Sequence, residues 1–130
     1  MYFGNFGDKH DVCREFGIPD FEGTVVFAAY DTPDYDGYAE VIFVHKGKFY
    51  MAHGSHCSCY GLEDQWDPIE MPIDGLRKII GQGTGMLSHY EKEFESSLDQ
   101  LLKRIGVYEG IDGLEKVSTD TLTVLLRVAT

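Results

Sequence analysis

Cysteine is scarce, long apolar runs are missing and bases are outnumbered two to one by acids, and each shortage excludes a class of protein. The three cysteines, Cys13, Cys57 and Cys59, are an odd number. That fits reduced thiols or metal ligands better than a disulfide framework, and Cys57 and Cys59 are too close in sequence for a comfortable disulfide. The longest apolar stretches, Val41 to Val44 and Leu122 to Leu126, fall far short of the ~20 residues needed to cross a bilayer. No membrane helix and no membrane partner are expected. The opening residues, Met1 to His10, carry neither a basic leader nor an apolar segment, so the expected compartment is the cytosol. With 11 Lys and Arg against 22 Asp and Glu, the formal net charge is −11. Direct binding to nucleic acid, which depends on clustered bases, is not expected.

What is present suits a single domain over residues 1–130. The apolar content fills one core without disulfides or a structural metal, and no repeat, low-complexity run or linker divides the chain. Thr24 to Tyr30, Tyr38 to His45 and Lys48 to His53 are rich in β-branched and aromatic residues. The Asp/Pro/Gly loop from Asp31 to Gly37 and a tight turn at Lys46-Gly47 separate them. The fold class this predicts is α+β: a three-stranded antiparallel meander with a short N-terminal helix and two or three C-terminal helices. A two-residue hairpin loop at Lys46-Gly47 sets the register, pairing His45 with Lys48, Val44 with Phe49, Ile42 with Met51 and Glu40 with His53.

Capping signals place the helices. Asp8 caps a short helix that carries Val12 and Phe16 on one face and stops at Gly17. Pro72 suits the first turn of a helix with Ile73, Leu76, Ile79 and Ile80, ended by the loop Gly81 to Gly85. That loop lacks the G-K-[ST] ending of a phosphate loop. Ser88 and Glu91 have capping-box spacing ahead of a stripe of Tyr90, Phe94, Leu98, Leu101, Leu102 and Ile105. From Ser118 onward the spacing of Leu122, Leu125 and Leu126 predicts a helix, against a β-branched content that would suit a strand.

The distinctive chemistry lies in His53-Gly-Ser-His-Cys-Ser-Cys59, at the end of the third strand. Seven residues rarely wrap four sides of one ion, so a metal site would borrow Cys13, which shares a helix face with His10. Cys13, His56, Cys57 and Cys59 would then hold zinc in a closed tetrahedron. The plainer reading makes the cysteines small buried hydrophobes and the histidines hydrogen-bonded strand-end residues, with no cofactor. A pocket built from Glu40, His53, Tyr60 and Gln65 is a third reading. No residue pattern establishes a reaction. A thiol enzyme would need a positioned base and an activated Cys57 or Cys59, and His56 is adjacent in sequence to Cys57, which turns the two side chains apart.

The acids are unevenly spread. Glu15, Asp20, Glu22, Asp31, Asp34, Asp36 and Glu40 lie between Arg14 and Lys46 with no base among them, and Glu63, Asp64, Asp67, Glu70 and Asp74 lie between Lys48 and Arg77. Such fields attract basic surfaces. The expected partner is a protein with a basic surface, contacted through Asp31, Asp34, Asp36, Glu63, Asp64, Trp66 and Asp67. Trp66 serves there either as an anchor or as a core plug.

One stretch carries a resemblance. Gly54-Ser-His-Cys-Ser-Cys-Tyr-Gly-Leu-Glu-Asp-Gln-Trp-Asp-Pro68, preceded by Val41 to Tyr50 and, further upstream, by Phe6 to Ile18 and Ala28-Ala-Tyr30, is similar to a group of small bacteriophage and mobile-element proteins. It covers roughly the first half of the chain. The resemblance implies a small accessory protein acting in a bacterial cytosol. Proteins of that kind include inhibitors of host defence, such as CRISPR and restriction inhibitors, some of which occupy a basic nucleic-acid channel.

Overall fold

A strand exposed on one face alternates apolar and polar residues, whereas two central strands here are apolar on both faces. Every residue from Val26 to Tyr30 is buried, and so is every residue from Ala39 to Val44. Continuous burial means that both faces of the sheet are covered. The computed structural model describes residues 1–58, 60–81 and 88–129.

The sheet is not a three-stranded antiparallel meander but a five-stranded mixed one. Its strands are β1 (Tyr2–Gly4), β2 (Thr24–Asp31), β3 (Gly37–His45), β4 (Lys48–His56) and β5 (Ile69–Met71), and they lie in sequence order. β1 runs parallel to β2, and the other neighbours are antiparallel. The two added strands are three residues each, too short for a period-two signal. β1 is held from Met1 onward: Met1 N donates to Val26 O at 2.8 Å, and Met1 O accepts from Ala28 N at 2.9 Å. The β3–β4 hairpin has the expected register, from His45 opposite Lys48 to Glu40 opposite His53, and continues to Gly37 opposite His56. Lys46 and Gly47, with φ of 50° and 80°, form the turn; positive φ at both central residues matches the twist of the flanking strands.

Among the described residues four helices follow the sheet rather than two or three: α2 (Ile73–Ile79), α3 (Glu91–Ile105), α4 (Ile111–Leu114) and α5 (Thr119–Ala129). α4 is a single turn, below the length at which periodicity can be read. These helices cover one face, burying Phe94, Leu98, Leu101, Leu102, Leu114, Leu122 and Leu126 against Phe27, Ile42, Val44 and Phe49. Each such side chain contributes ~1.5–3 kcal/mol by leaving water. Arg77 ties α2 to the α4–α5 turn, its Nη2 donating to Leu114 O at 3.2 Å and Val117 O at 3.0 Å. Residues 118–129 resolve in favour of helix, with Thr121 N donating to Ser118 Oγ at 3.1 Å. Ser88 and Glu91 do not make the expected capping box: α3 begins at Glu91, and Tyr90 occupies the N-cap without a side-chain cap. Tyr90 is fixed there by tertiary contacts. Its ring packs on Phe3 and Phe27, and its hydroxyl reaches both Asp31 carboxylate oxygens at 2.9 and 2.8 Å. Of the loop Gly81 to Gly85, residues 82–85 lie outside the described residues.

The opposite face has a different cover. α1 (Lys9–Phe16) is capped as expected, with Asp11 N donating to Asp8 Oδ1 at 2.8 Å and Gly17 left-handed at φ 68°. It lays Val12 and Phe16 on the sheet, joined by Phe6, Leu62 and the half-buried rings of Phe21, Tyr50 and Trp66. This second core is strongly aromatic: Trp66 lies 5.0 Å from Phe16, 4.8 Å from Phe21 and 5.8 Å from Phe43, centroid to centroid.

Candidate functional site

Strand parity decides which of the central residues can work together. Side chains alternate across a strand, and Ile42 and Val44 belong to the helix-covered face. Glu40 and its cross-strand partner His53 therefore project to that face, Glu40 buried at 6 % exposure and His53 exposed. Gly54 and His56 belong to the opposite face, where Gly54 packs against Leu62 and Phe16. The proposed grouping of Glu40, His53, Tyr60 and Gln65 is thus split. Tyr60 and Gln65 stand with His56, and the sheet separates them from Glu40 and His53.

His56 is held on both ring nitrogens. Nδ1 lies 2.8 Å from its neighbour's carbonyl, Cys57 O, and Nε2 lies 2.5 Å from the hydroxyl of Tyr30. A carbonyl only accepts, so Nδ1 carries a proton, and in the neutral tautomer this leaves Nε2 to accept from the Tyr30 hydroxyl. The imidazole lies against Gly37, where any Cβ would overlap it; glycine there is a steric requirement. Tyr30 is 5 % exposed. Burial, and after it the nearby charges of Glu15 and Glu63, push its hydroxyl above the usual tyrosine range, so it acts as a neutral donor. Neither Tyr30 nor Gly37 was singled out as a site residue from sequence. Carrying the hairpin register three pairs past Glu40–His53 places Gly37 opposite His56, so that signal was readable. Tyr30 comes from a separate strand and had none.

Beyond β4 the chain turns back through Tyr60 to Gln65. Gln65 substitutes for a strand: its Oε1 accepts from Ser55 N at 2.9 Å and its Nε2 donates to Gly61 O at 3.0 Å. Between this loop and the strand end lies an open hollow of about 410 Å³ lined by Ser55, His56, Tyr60, Gly61, Glu63, Asp64 and Gln65. Tyr60 stands 73 % exposed at its edge.

Of the four expected metal ligands, the three among the described residues, Cys13, His56 and Cys57, are not brought together. Cys13 is buried on α1 and lines a separate hollow with His10, Ile18, Pro19 and Asp20. Burial, then the Asp20 charge, raises its thiol above the ordinary cysteine range. Cys57 is exposed beside His56, and Cys59 lies outside the described residues. Among the described residues no group of three or more His, Cys, Asp or Glu side chains is placed to hold a metal ion, and no helix is long and apolar enough to cross a membrane.

The expected partner-binding residues divide likewise. Asp31 is engaged by Tyr90, and Trp66 is half-buried in the aromatic core. Asp34, Asp36, Glu63, Asp64 and Asp67 make no ion pair among the described residues, whereas Asp11, Asp20, Asp74, Asp99 and Glu109 do. Gly37 pairs with His56, so the β2–β3 loop and the loop after β4 leave from the same end of the sheet. Asp34, Asp36, Glu63 and Asp64 share that end with three exposed rings, Tyr35 at 83 %, Tyr38 at 48 % and Tyr60. Asp34 and Tyr35 both adopt left-handed backbone, φ 49° and 72°, an uncommon conformation for side-chain-bearing residues. Comparison with family profiles, with curated proteins and with solved structures finds no match to this chain.

Proposed function

We propose that this protein is a non-enzymatic accessory protein of bacteriophage type that binds a basic surface on a host protein and inhibits it, the target being a nucleic-acid-handling defence complex of the CRISPR or restriction kind. One observation carries the reading: carboxylates without an ion pair among the described residues, Asp34, Asp36, Glu63 and Asp64, stand at the same end of the sheet as exposed Tyr35, Tyr38 and Tyr60. Tyrosine is enriched among residues that dominate binding energy, because it offers a large rigid surface with a polar tip. Acids around such rings steer the encounter toward positive potential. A groove evolved to hold phosphates supplies that potential.

Capture from bacterial lysate on the immobilised protein tests the reading. The expected result is retention of a nucleic-acid-binding protein that duplex DNA displaces, and loss of retention in the variant D34K/D36K/E63K/D64K. Capture that the variant retains, or that DNA does not compete, overturns it. The alternative is a metal- or small-molecule-binding protein centred on the Cys/His loop, favoured by the hollow against His56. Elemental analysis of protein purified without added metal separates its two forms: stoichiometric zinc or iron supports the metal form, and their absence leaves only the small-molecule form.

A further inference from the structure

The hollow beside Tyr60 contains a carboxylate placed with unusual economy. Glu63 runs between two glycines. Its Cγ lies 3.5 Å from where a Cβ on Gly17 would stand, and its carboxylate lies over Gly61 so closely that a Cβ there would overlap it. Among the described residues it has no cationic partner, and it faces the same space as the exposed ring of Tyr60. Next to it Asp64 is left-handed at φ 64°. At the strand end the polar groups are already committed: Gln65 to Ser55 and Gly61, and His56 to Tyr30 and Cys57 O. A carboxylate accepts two parallel N–H bonds from a guanidinium, and an aromatic face attracts the guanidinium plane. A lysine ammonium matches neither geometry as well.

We infer that this hollow is the seat for one arginine side chain of the partner, with the guanidinium paired to Glu63 and stacked on Tyr60. The inference deepens the proposed binding function and rests on it: it identifies which basic residue of the partner is read, and where. The volume, about 410 Å³, is ample for one such side chain with water around it.

The test uses N-acetyl-arginine methylamide as the probe, titrated into the ¹⁵N-labelled protein at constant ionic strength, with the matching lysine amide beside it. Saturable amide shifts are expected at Ser55, Gly61 and Asp64, with the lysine compound at least about tenfold weaker, a difference of the size one good interaction supplies. E63Q and Y60A should each weaken the arginine compound by a similar factor, while D120N, on α5 across the sheet, leaves it unchanged. No saturable shift, equal response to the lysine compound, retention in E63Q or loss in D120N would each overturn the inference. Because E63Q changes only an exposed charge, its unperturbed spectrum elsewhere verifies folding. Lysate capture that succeeds while the probe fails removes the arginine seat but leaves the binding function, and the reverse outcome removes the proposed partner class.

Discussion

One face of the sheet is covered by four helices and filled largely with Leu, Ile and Val; the other is covered by one short helix and a loop, and filled largely with rings. The helical cover repeats its contacts along continuous stripes, so each residue is supported by neighbours of the same kind. The aromatic cover depends on a few large side chains placed by a chain that has little regular structure of its own between β4 and β5. It is also where the polar constellation sits: Tyr30, His56 and Gln65 close the rim of the aromatic core, and the hollow opens beside them. The face that is harder to build is the one that presents the candidate site, because a loop can place glycines and carboxylates where a helix would impose its own spacing.

The contrast can be broken by substitution. Leu98, fully buried beneath the helices, should cost about 2–5 kcal/mol when changed to Ala, read as a lowered denaturation midpoint with unchanged slope. Trp66→Ala should cost about 2–3 kcal/mol, less than the ~3–5 typical of fully buried aromatics, since the ring is only half-buried. Trp66 is the sole tryptophan, so its fluorescence reports the aromatic face. If fluorescence and far-ultraviolet circular dichroism give separate midpoints, the two faces do not melt as one unit.

Smaller effects sharpen the picture at the rim. Gly37→Ala places a Cβ in the His56 ring and should cost about 1–3 kcal/mol, as overpacking does. Loss of the Tyr30–His56 hydrogen bond, seen as movement of the His56 ring resonances, is the specific sign. Unchanged resonances would show that the ring does not rest on Gly37.

On the helical face, Tyr90→Phe removes the hydroxyl from Asp31 and should cost about 1–2 kcal/mol. Burial, then the hydrogen bond to Asp31, pushes the Tyr90 hydroxyl up to about 12. The folded state therefore holds this proton more tightly than the unfolded chain, whose tyrosine titrates near 10. The stabilisation is complete below about pH 10 and is lost as pH rises toward 12. Stability curves of wild type and Tyr90→Phe should converge across that window. Smallest in energy is thiol chemistry: iodoacetamide at neutral pH should label exposed Cys57 well ahead of Cys13, whose burial disfavours the thiolate. Peptide mapping measures the ratio.

Local signals were readable wherever the physics is local. The Lys46-Gly47 turn sets the hairpin register, Asp8 and Gly17 bound α1, and the stripe from Tyr90 to Ile105 is the buried face of α3. The same register, carried on, puts Gly37 beneath His56, and strand parity separates His53 from His56. β1 and β5 had no such signal, since three residues show no period and both exist only because a neighbour's edge supplies their hydrogen bonds. The start of α3 was misplaced for a related reason: a tertiary bond from Tyr90 to Asp31, 59 residues away in sequence, outweighed the local cap.

By itself, then, the sequence determined an α+β chain, its central hairpin and register and its strong negative charge, because turn chemistry, periodicity and charge act over a few residues. Only the tertiary structure decided that the sheet is mixed and covered on both faces, and that Trp66 and Asp31 are turned inward. It also decided that Tyr30 meets His56 and that Glu63 shares a hollow with Tyr60. Each of those depends on contact between segments far apart in the chain, where burial and steric fit, rather than local propensity, choose the partner.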